Sequence, residues 1–293
     1  MSSPRFELIV APPIADYGLI DSGHGRKLER YGSVRLIRPE PQAMWAPRQP
    51  SLWASADAEF QSAADDDERG KWSSDPGPIP LSVAGAQMVC RLGNNHHTGL
   101  FPEQHPHWAA AAGAVERAAS AGSEPPEVLN LFGYTGAASL ILAAAGARVT
   151  HVDASKKANA WARENQAASG LDAAPIRWIC DDAQKFVARE VRRGRRYHGI
   201  LLDPPKFGRG PKNEVFNLFD DLPPLIEDVA KLVHRDALFV ILTAYAIRAS
   251  ALSIGRLLTD ALAPRPVRYG ELALQDEAGA LLPTSMFALW MAD

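Results

Sequence analysis

The chain has 293 residues, 46% of them hydrophobic and 22% charged, with a formal net charge of −3. Such a length buries a sizeable core in one large domain or two unequal ones, and no apolar run reaches the roughly 20 residues that span a bilayer. The opening MSSPRFELIV has no secretion-signal pattern, the net charge gives no global pull on polyanions, and Cys90 and Cys180 have neither metal-ligand nor disulfide-framework spacing; the cytoplasm, no membrane partner and no metal are expected.

Composition shifts near residue 100. Ahead of it run short β-like stretches, FELIVA and YGSVRLIR, broken by glycine and proline, with an acidic segment, DDDERG, at Asp65 to Gly70. From His105, HPHWAAAAGAVERAASAG is rich in the best helix former and stops at Gly122. Strand and helix then alternate: EVLNLF, the loop GYTG, AASLILAAAG, RVTHVD, SKKANAWARENQAASG, IRWICDD, AQKFVAREVRRG, YHGILLD. Alternation of this kind predicts βαβ units with a parallel sheet covered on both faces.

Beyond Lys212, EVFNLFDDLPPLIEDVAKLVHR reads as a helix, ALFVILTAY as a strand and ALSIGRLLTDALA as a further helix; YGELALQ and SMFALWM then flank a turn-rich stretch as an antiparallel hairpin. The expected fold is α/β: a doubly wound, Rossmann-like, mostly parallel sheet with a C-terminal antiparallel hairpin over residues 98–293. A small N-terminal β-rich domain over 1–97 is attached to it, with substrate binding as its expected use.

A strand, a glycine loop, a helix and a second strand ending in an acid are how nucleotide-like cofactors are held. Asp153 ends that second strand 17 residues beyond Gly136, where a carboxylate can accept both hydroxyls of an adenosine ribose, although it is also placed to cap the next helix. The spacing suits dinucleotides and S-adenosylmethionine (SAM) alike. The loop separates them, because no frame of LFGYTGAAS gives the G-x-G-x-x-G that lets a backbone approach a pyrophosphate. The third strand ends at Asp181 and Asp182, suited to an adenine amino group, and the fourth ends in Asp203, Pro204, Pro205 and Lys206. Proline cannot donate a ladder hydrogen bond, so the two prolines stop that strand and fix the direction in which Asp203 is presented.

With VLNLFGYTG, VDAS, DDAQKF and DPPKFG in sequence, the chain resembles class I SAM-dependent methyltransferases, and within them the bacterial 23S ribosomal-RNA (cytosine-5) methyltransferase family. The resemblance runs from about Thr98 to Asp293. It implies that Gly133, Tyr134, Thr135 and Gly136 surround the methionine part of SAM, that Asp153 with the adjoining Ala154 takes the ribose, and that Asp182 with Ala183 takes the adenine. It also implies cofactor contacts from Phe101 and Gln104 in TGLFPEQ, and Asn130 matches the subfamily. One departure stands out: the segment expected to carry the family's nucleophilic cysteine corresponds to LTAYAIR, Leu242 to Arg248, which has none.

Chemistry at nitrogen remains. Asp203 and the Pro204 carbonyl can accept the two hydrogens of an exocyclic amine, a role resembling that of the D/N-P-P-Y/F motif of amino methyltransferases. Lys206 is then available for substrate charge or phosphate, or stands as a solvated loop cation. The expected substrate is ribosomal RNA; a protein substrate and a non-catalytic cofactor- or RNA-binding assembly factor are the alternatives.

Basic residues sort by location. Lys206, Arg209 and Lys212 flank the active face, and Arg26, Lys27, Arg30, Arg35 and Arg38 are expected to offer a second phosphate-binding group. Arg189, Arg192, Arg193, Arg195 and Arg196 are expected at the far end of the sheet, in solvent. Trp45, Trp53 and Trp72 are placed either to stack on bases or to pack the small β domain.

Overall fold

A computed structural model describes residues 6–63, 66–122, 124–245, 247 and 249–292, with the backbone alone at 66–68. Asp65 of the acidic segment, and Ala246 and Arg248 of LTAYAIR, lie outside the described residues.

Strand β1 (Phe6–Val10) is followed by β2 (Tyr17–Gly23), β3 (Arg26–Tyr31), β4 (Val34–Pro39), β5 (Ala58–Ala63) and β6 (Asp66–Trp72), of which β2 to β6 form a five-stranded sheet in chain order. A hairpin, β7 (Ile79–Val83) and β8 (Ala86–Cys90), comes next, then a 3-10 turn at Pro102–Gln104 that runs into α1 (His105–Ala121). The α/β part continues with β9 (Glu127–Leu131), α2 (Ala137–Ala144), β10 (Arg148–Asp153), α3 (Lys156–Ala168), β11 (Ile176–Cys180), α4 (Ala183–Arg192) and β12 (Gly199–Leu202). It closes with a short hairpin, β13 (Phe207–Arg209) and β14 (Val215–Asn217), then α5 (Leu218–Leu232), β15 (Phe239–Tyr245), α6 (Ala251–Leu262), β16 (Arg268–Gln275) and β17 (Leu281–Met291).

The large sheet has the order β1-β16-β17-β15-β12-β9-β10-β11. Strands β15, β12, β9, β10 and β11 are parallel to their neighbours in that row, and β17 runs antiparallel between β15 and β16, as the C-terminal hairpin pattern predicts. Alternation along the strands builds a core on each face: Leu201 and Ile241 face α1 and α2, whereas Ile200, Leu202, Val240 and Leu242 face α4, α5 and α6. Helix starts are fixed locally, with Ser155 accepting from the Ala158 N–H at 3.1 Å and Asp182 from the Lys185 N–H at 2.9 Å.

Three features depart from the sequence reading. FELIVA, placed with the N-terminal β-rich region, instead adds parallel strand β1 to the edge of the large sheet beside β16. Gly270 permits that approach, since a Cβ there would lie 1.7 Å from the Glu7 carbonyl oxygen, and Arg268 pairs with Glu7 at 2.6 Å. The helix read from Glu214 begins only at Leu218, where Asn217 accepts from the Phe219 N–H; Val215–Asn217 pair instead with Phe207–Arg209 as a β-hairpin.

Lys27 and Arg38, assigned to a phosphate-binding group, are 5% and 4% exposed and bound to acids. Arg38 grips Glu29 through two nitrogens at 2.6 and 2.8 Å, Lys27 meets Glu40 at 3.2 Å, and Tyr17 donates to Glu29 at 2.7 Å. Burial alone would raise the Glu29 pKa, but Arg38 and Lys27 hold it down at about 2. Of the others, Arg26 pairs with Glu59, and Arg30 and Arg35 bond to neighbouring carbonyls and to Ser55. The three tryptophans bond within the β-rich region, their indole N–H groups donating to the Ser22 carbonyl, the Asp21 carboxylate and the Asn95 carbonyl, while Trp45 stays 37% exposed.

Candidate active site

The glycine loop after β9 is built on strained backbone. Phe132, Tyr134 and Gly136 have φ of +57°, +50° and +87°, the left-handed region that costs a non-glycine residue about 1 kcal/mol or more. What over-determines this geometry is a set of buried contacts beneath the loop. Gly133 has no room for a side chain, since a Cβ would lie 2.4 Å from His151 Cε1; its N–H donates to the Val152 carbonyl at 3.1 Å. Asn130 donates to Ser139 at 2.9 Å, Ser139 Oγ lies 2.9 Å from His151 Nδ1, and Thr135 donates to the Gly99 carbonyl at 2.6 Å.

Asp153 fastens the loop from the next strand. One carboxylate oxygen accepts the Tyr134 N–H and the other the Ser155 N–H, each at 2.8 Å, which leaves a further lone pair on each oxygen. Burial raises its pKa, and those two N–H groups oppose the rise. Asp182 is likewise shared: Oδ1 caps α4, and Oδ2 is left for another donor.

Between the loop and the 3-10 turn lies a cleft walled by Leu100, Phe101, Trp108, Phe132, Ala137 and Ala138 and edged by Gln104, Asn130, Gly133, Tyr134, Thr135 and Asp203. A second, smaller chamber continues inward past Gln104 and Asp203 to His107, Leu201, Ile241 and Thr243. His107 is 3% exposed, stacks edge-on against Phe287 and has no hydrogen-bond partner on either nitrogen; burial lowers its pKa to about 4, so it is neutral at pH 7.

At the junction of the two chambers, Gln104 donates to Asp203 Oδ2 at 2.7 Å. Removal from water, with a smaller push from Glu103, raises the Asp203 carboxyl to about 7, against the Gln104 hydrogen bond. Pro204 is buried directly behind it, whereas Pro205 and Lys206 are exposed, with the Lys206 ammonium 5.3 Å from the Phe207 ring centre.

Thus seven of the residues expected at the site from sequence, Phe101, Gln104, Asn130, Gly133, Tyr134, Thr135 and Asp203, meet around one cleft. Asp153, Ala154, Asp182 and Ala183 stand at the carboxyl ends of the neighbouring strands, where the rest of an elongated ligand would lie. Sequence reasoning missed the apolar walls Leu100, Trp108 and Phe132 and the support pair Ser139 and His151, whose only signal is position next to the glycine loop. It also misplaced Arg189, which reaches back along α4 to pair with Asp181 at the carboxyl end of β11; Arg193 and Arg195 pair with Glu190.

The arrangement fits an adenosine-bearing cofactor with no phosphate: a free acceptor pair on Asp153 for a ribose, a glycine loop with polar side chains, and apolar walls for the rest. No family model matches the chain. Over 98% of its length it superposes on 94% of the SAM-dependent methyltransferase from Agrobacterium tumefaciens, with a TM-score of 0.92 and 46% sequence identity. The chain belongs to the SAM-dependent methyltransferases. This methyltransferase therefore takes SAM as cofactor, and its class I fold is shared with SMU.776, a protein complexed with S-adenosylhomocysteine (SAH), at a TM-score of 0.71 and 18% identity over 96% of this chain and 76% of that one.

Two curated relatives share part of the methyltransferase's sequence. The ribosomal RNA large subunit methyltransferases I of Aeromonas salmonicida and Shewanella denitrificans are 30% and 34% identical to it, each over 131 residues, 44% of this chain. The chain spans about a third of the length of these relatives, 31% in both. Among the described residues no helix is long and apolar enough to cross a membrane.

Proposed function

We propose that this methyltransferase modifies ribosomal RNA at a nitrogen atom held between Asp203 and the Pro204 carbonyl. The observation that carries the reading is the Asp203 carboxyl: clamped by Gln104, raised to about 7, and fixed by two prolines at the junction of the chambers. An acceptor titrating near neutrality suits proton removal from an amine at physiological pH. The ribosomal part of the reading rests on the names of the partial relatives. Under it the enzyme works in the cytoplasm.

When bound, SAM supplies a methyl group activated by its sulfonium, so the protein's task is to position a nucleophile and exclude water. Gln104 occupies Asp203 Oδ2 and leaves Oδ1 for one amine hydrogen; the Pro204 carbonyl takes the other. Holding both hydrogens aims the nitrogen lone pair at the methyl. The Asp203 carboxylate would accept the one proton that the amine nitrogen gives up when it is methylated. Gly133, Tyr134, Thr135, Asp153, Ala154, Asp182 and Ala183 would hold the cofactor, with Phe101, Asn130 and Gly136 shaping its cleft, and Lys206 would meet substrate charge.

A thiol route to a ring carbon has less support. Among the described residues no cysteine lines either chamber; Cys90 is buried with its pKa pushed up to about 12, and the exposed Cys180 turns its sulfur to the Ala154 carbonyl at 3.5 Å. The test is transfer of labelled methyl from SAM to ribosomal RNA isolated from cells lacking the gene. Label is expected in an N-methylated nucleoside, absent with Asp203→Ala. Label in ribosomal protein but not RNA would overturn the substrate, and label on a ring carbon the chemistry.

A further inference from the structure

The hairpin β13–β14 starts four residues after Asp203, a span of at most about 14 Å of chain. Its register sets Phe207 opposite Asn217, Gly208 opposite Phe216 and Arg209 opposite Val215. Because side chains alternate along a strand, Phe216 and Gly208 turn to one face while Phe207, Arg209 and Val215 share the other. Phe216 is 4% exposed and packs on Phe132, a wall of the cofactor cleft, with ring centres 5.2 Å apart. The hairpin is therefore anchored against the cleft by its inner face.

The outer face is left open: Phe207 is 63% exposed and Val215 69%. Their apolar surface stands in water on one face of the hairpin, and a partner laid on that face would cover it. Three cations, Lys206, Arg209 and Lys212, accompany them in a protein of net charge −3. The single acid of the hairpin, Glu214, is taken by Lys185 at 2.6 Å and by the Lys212 N–H at 2.8 Å. Two further acids, Asp220 and Asp221, are held by Asn217 at the base of the hairpin. An aromatic ring and an aliphatic side chain in the company of three cations match the base faces and phosphates of an unpaired nucleic-acid strand.

We propose that the outer face of β13–β14 is a stacking platform for single-stranded RNA, holding a base beside the one that is methylated. The inference rests on the RNA reading above and narrows it to an unpaired segment. Phe207 and Val215 take the face of a flanking base, and Arg209 and Lys212 take the phosphates on either side. A duplex keeps its bases stacked on one another and offers the platform only its backbone.

The test is fluorescence anisotropy with a labelled oligouridylate and with an RNA duplex of equal length. Wild type should prefer the single strand. Phe207→Ala should weaken oligouridylate binding about tenfold or more, Phe207→Trp should restore it, and Arg209→Glu should lower the salt slope by about one. Calorimetric binding of S-adenosylhomocysteine should be the same in Phe207→Ala as in wild type, since Phe207 does not line the cleft. The platform is overturned if wild type binds RNA and Phe207→Ala binds it equally well, or loses duplex and single strand alike. If wild type binds neither RNA, the substrate reading falls with it.

Discussion

Gln104 donates its side-chain amide to Asp203 at 2.7 Å, joining the turn ahead of α1 to the end of β12, 99 residues further along the chain. That single bond ties the segment ahead of α1 to the acid proposed to accept the amine proton. Gln104→Ala is expected to lower kcat by about 10- to 100-fold, the usual cost of misplacing a reacting group. Because the Gln104 bond holds the Asp203 pKa down, its loss should also move the acid limb of the pH profile upward. A fall in kcat with an unshifted limb, measured by methyl transfer over pH 5 to 9, would separate Gln104 from the Asp203 carboxyl.

In wild type that limb should lie near pH 7. Asp203 is raised to about 7 from its ordinary 3.8, so the accepting carboxylate is lost as pH falls below neutrality. The same shift has a cost in stability, which grows as pH rises from about 4 to about 7 and the desolvated group is forced to ionise. Asp203→Asn should therefore abolish transfer and yet raise the melting temperature at pH 8, as read by differential scanning calorimetry.

Asp153 has each oxygen on a backbone N–H group and a lone pair to spare on each. Asp153→Asn should weaken S-adenosylhomocysteine binding by about tenfold or more, the worth of one hydrogen bond to a charged group. Titration calorimetry measures it directly, and an unchanged affinity would remove Asp153 from the cofactor site.

Glu29 is buried between Arg38 and Lys27 and held at about 2, below its ordinary 4.5. Its contribution to stability is complete above pH 4.5 and is lost as pH falls toward 2. Glu29→Gln leaves two cations under-compensated in the interior and should cost about 3 kcal/mol or more near neutral pH. Urea denaturation at pH 7 and at pH 3 should show a smaller difference between the two pH values in the variant than in wild type.

Much of the site was legible because its determinants are local. A glycine loop, an acid at each strand end and two prolines after Asp203 are all set by residues a few positions apart, and Gly133 to Gly136, Asp153 and Asp203 stand where those patterns put them. What was hidden depends on which residues the folded chain sets side by side. Lys27 and Arg38 read as surface cations, and only the approach of Glu29 and Glu40 buries them. Strand β1 joins β16 across more than 250 residues through the bare backbone of Gly270, which no periodicity announces. Arg189 follows helix geometry back to Asp181, and Val215 lies in a strand because the turn before it brings it opposite Arg209.

The most direct measurement of the central claim is mass spectrometry of nucleosides from ribosomal RNA of cells lacking the gene, complemented with wild type or with Asp203→Ala. One N-methylated nucleoside should be missing without the gene, restored by wild type and not restored by Asp203→Ala. A missing C-methylated nucleoside, or full restoration by Asp203→Ala, would contradict methyl transfer to a nitrogen positioned by Asp203.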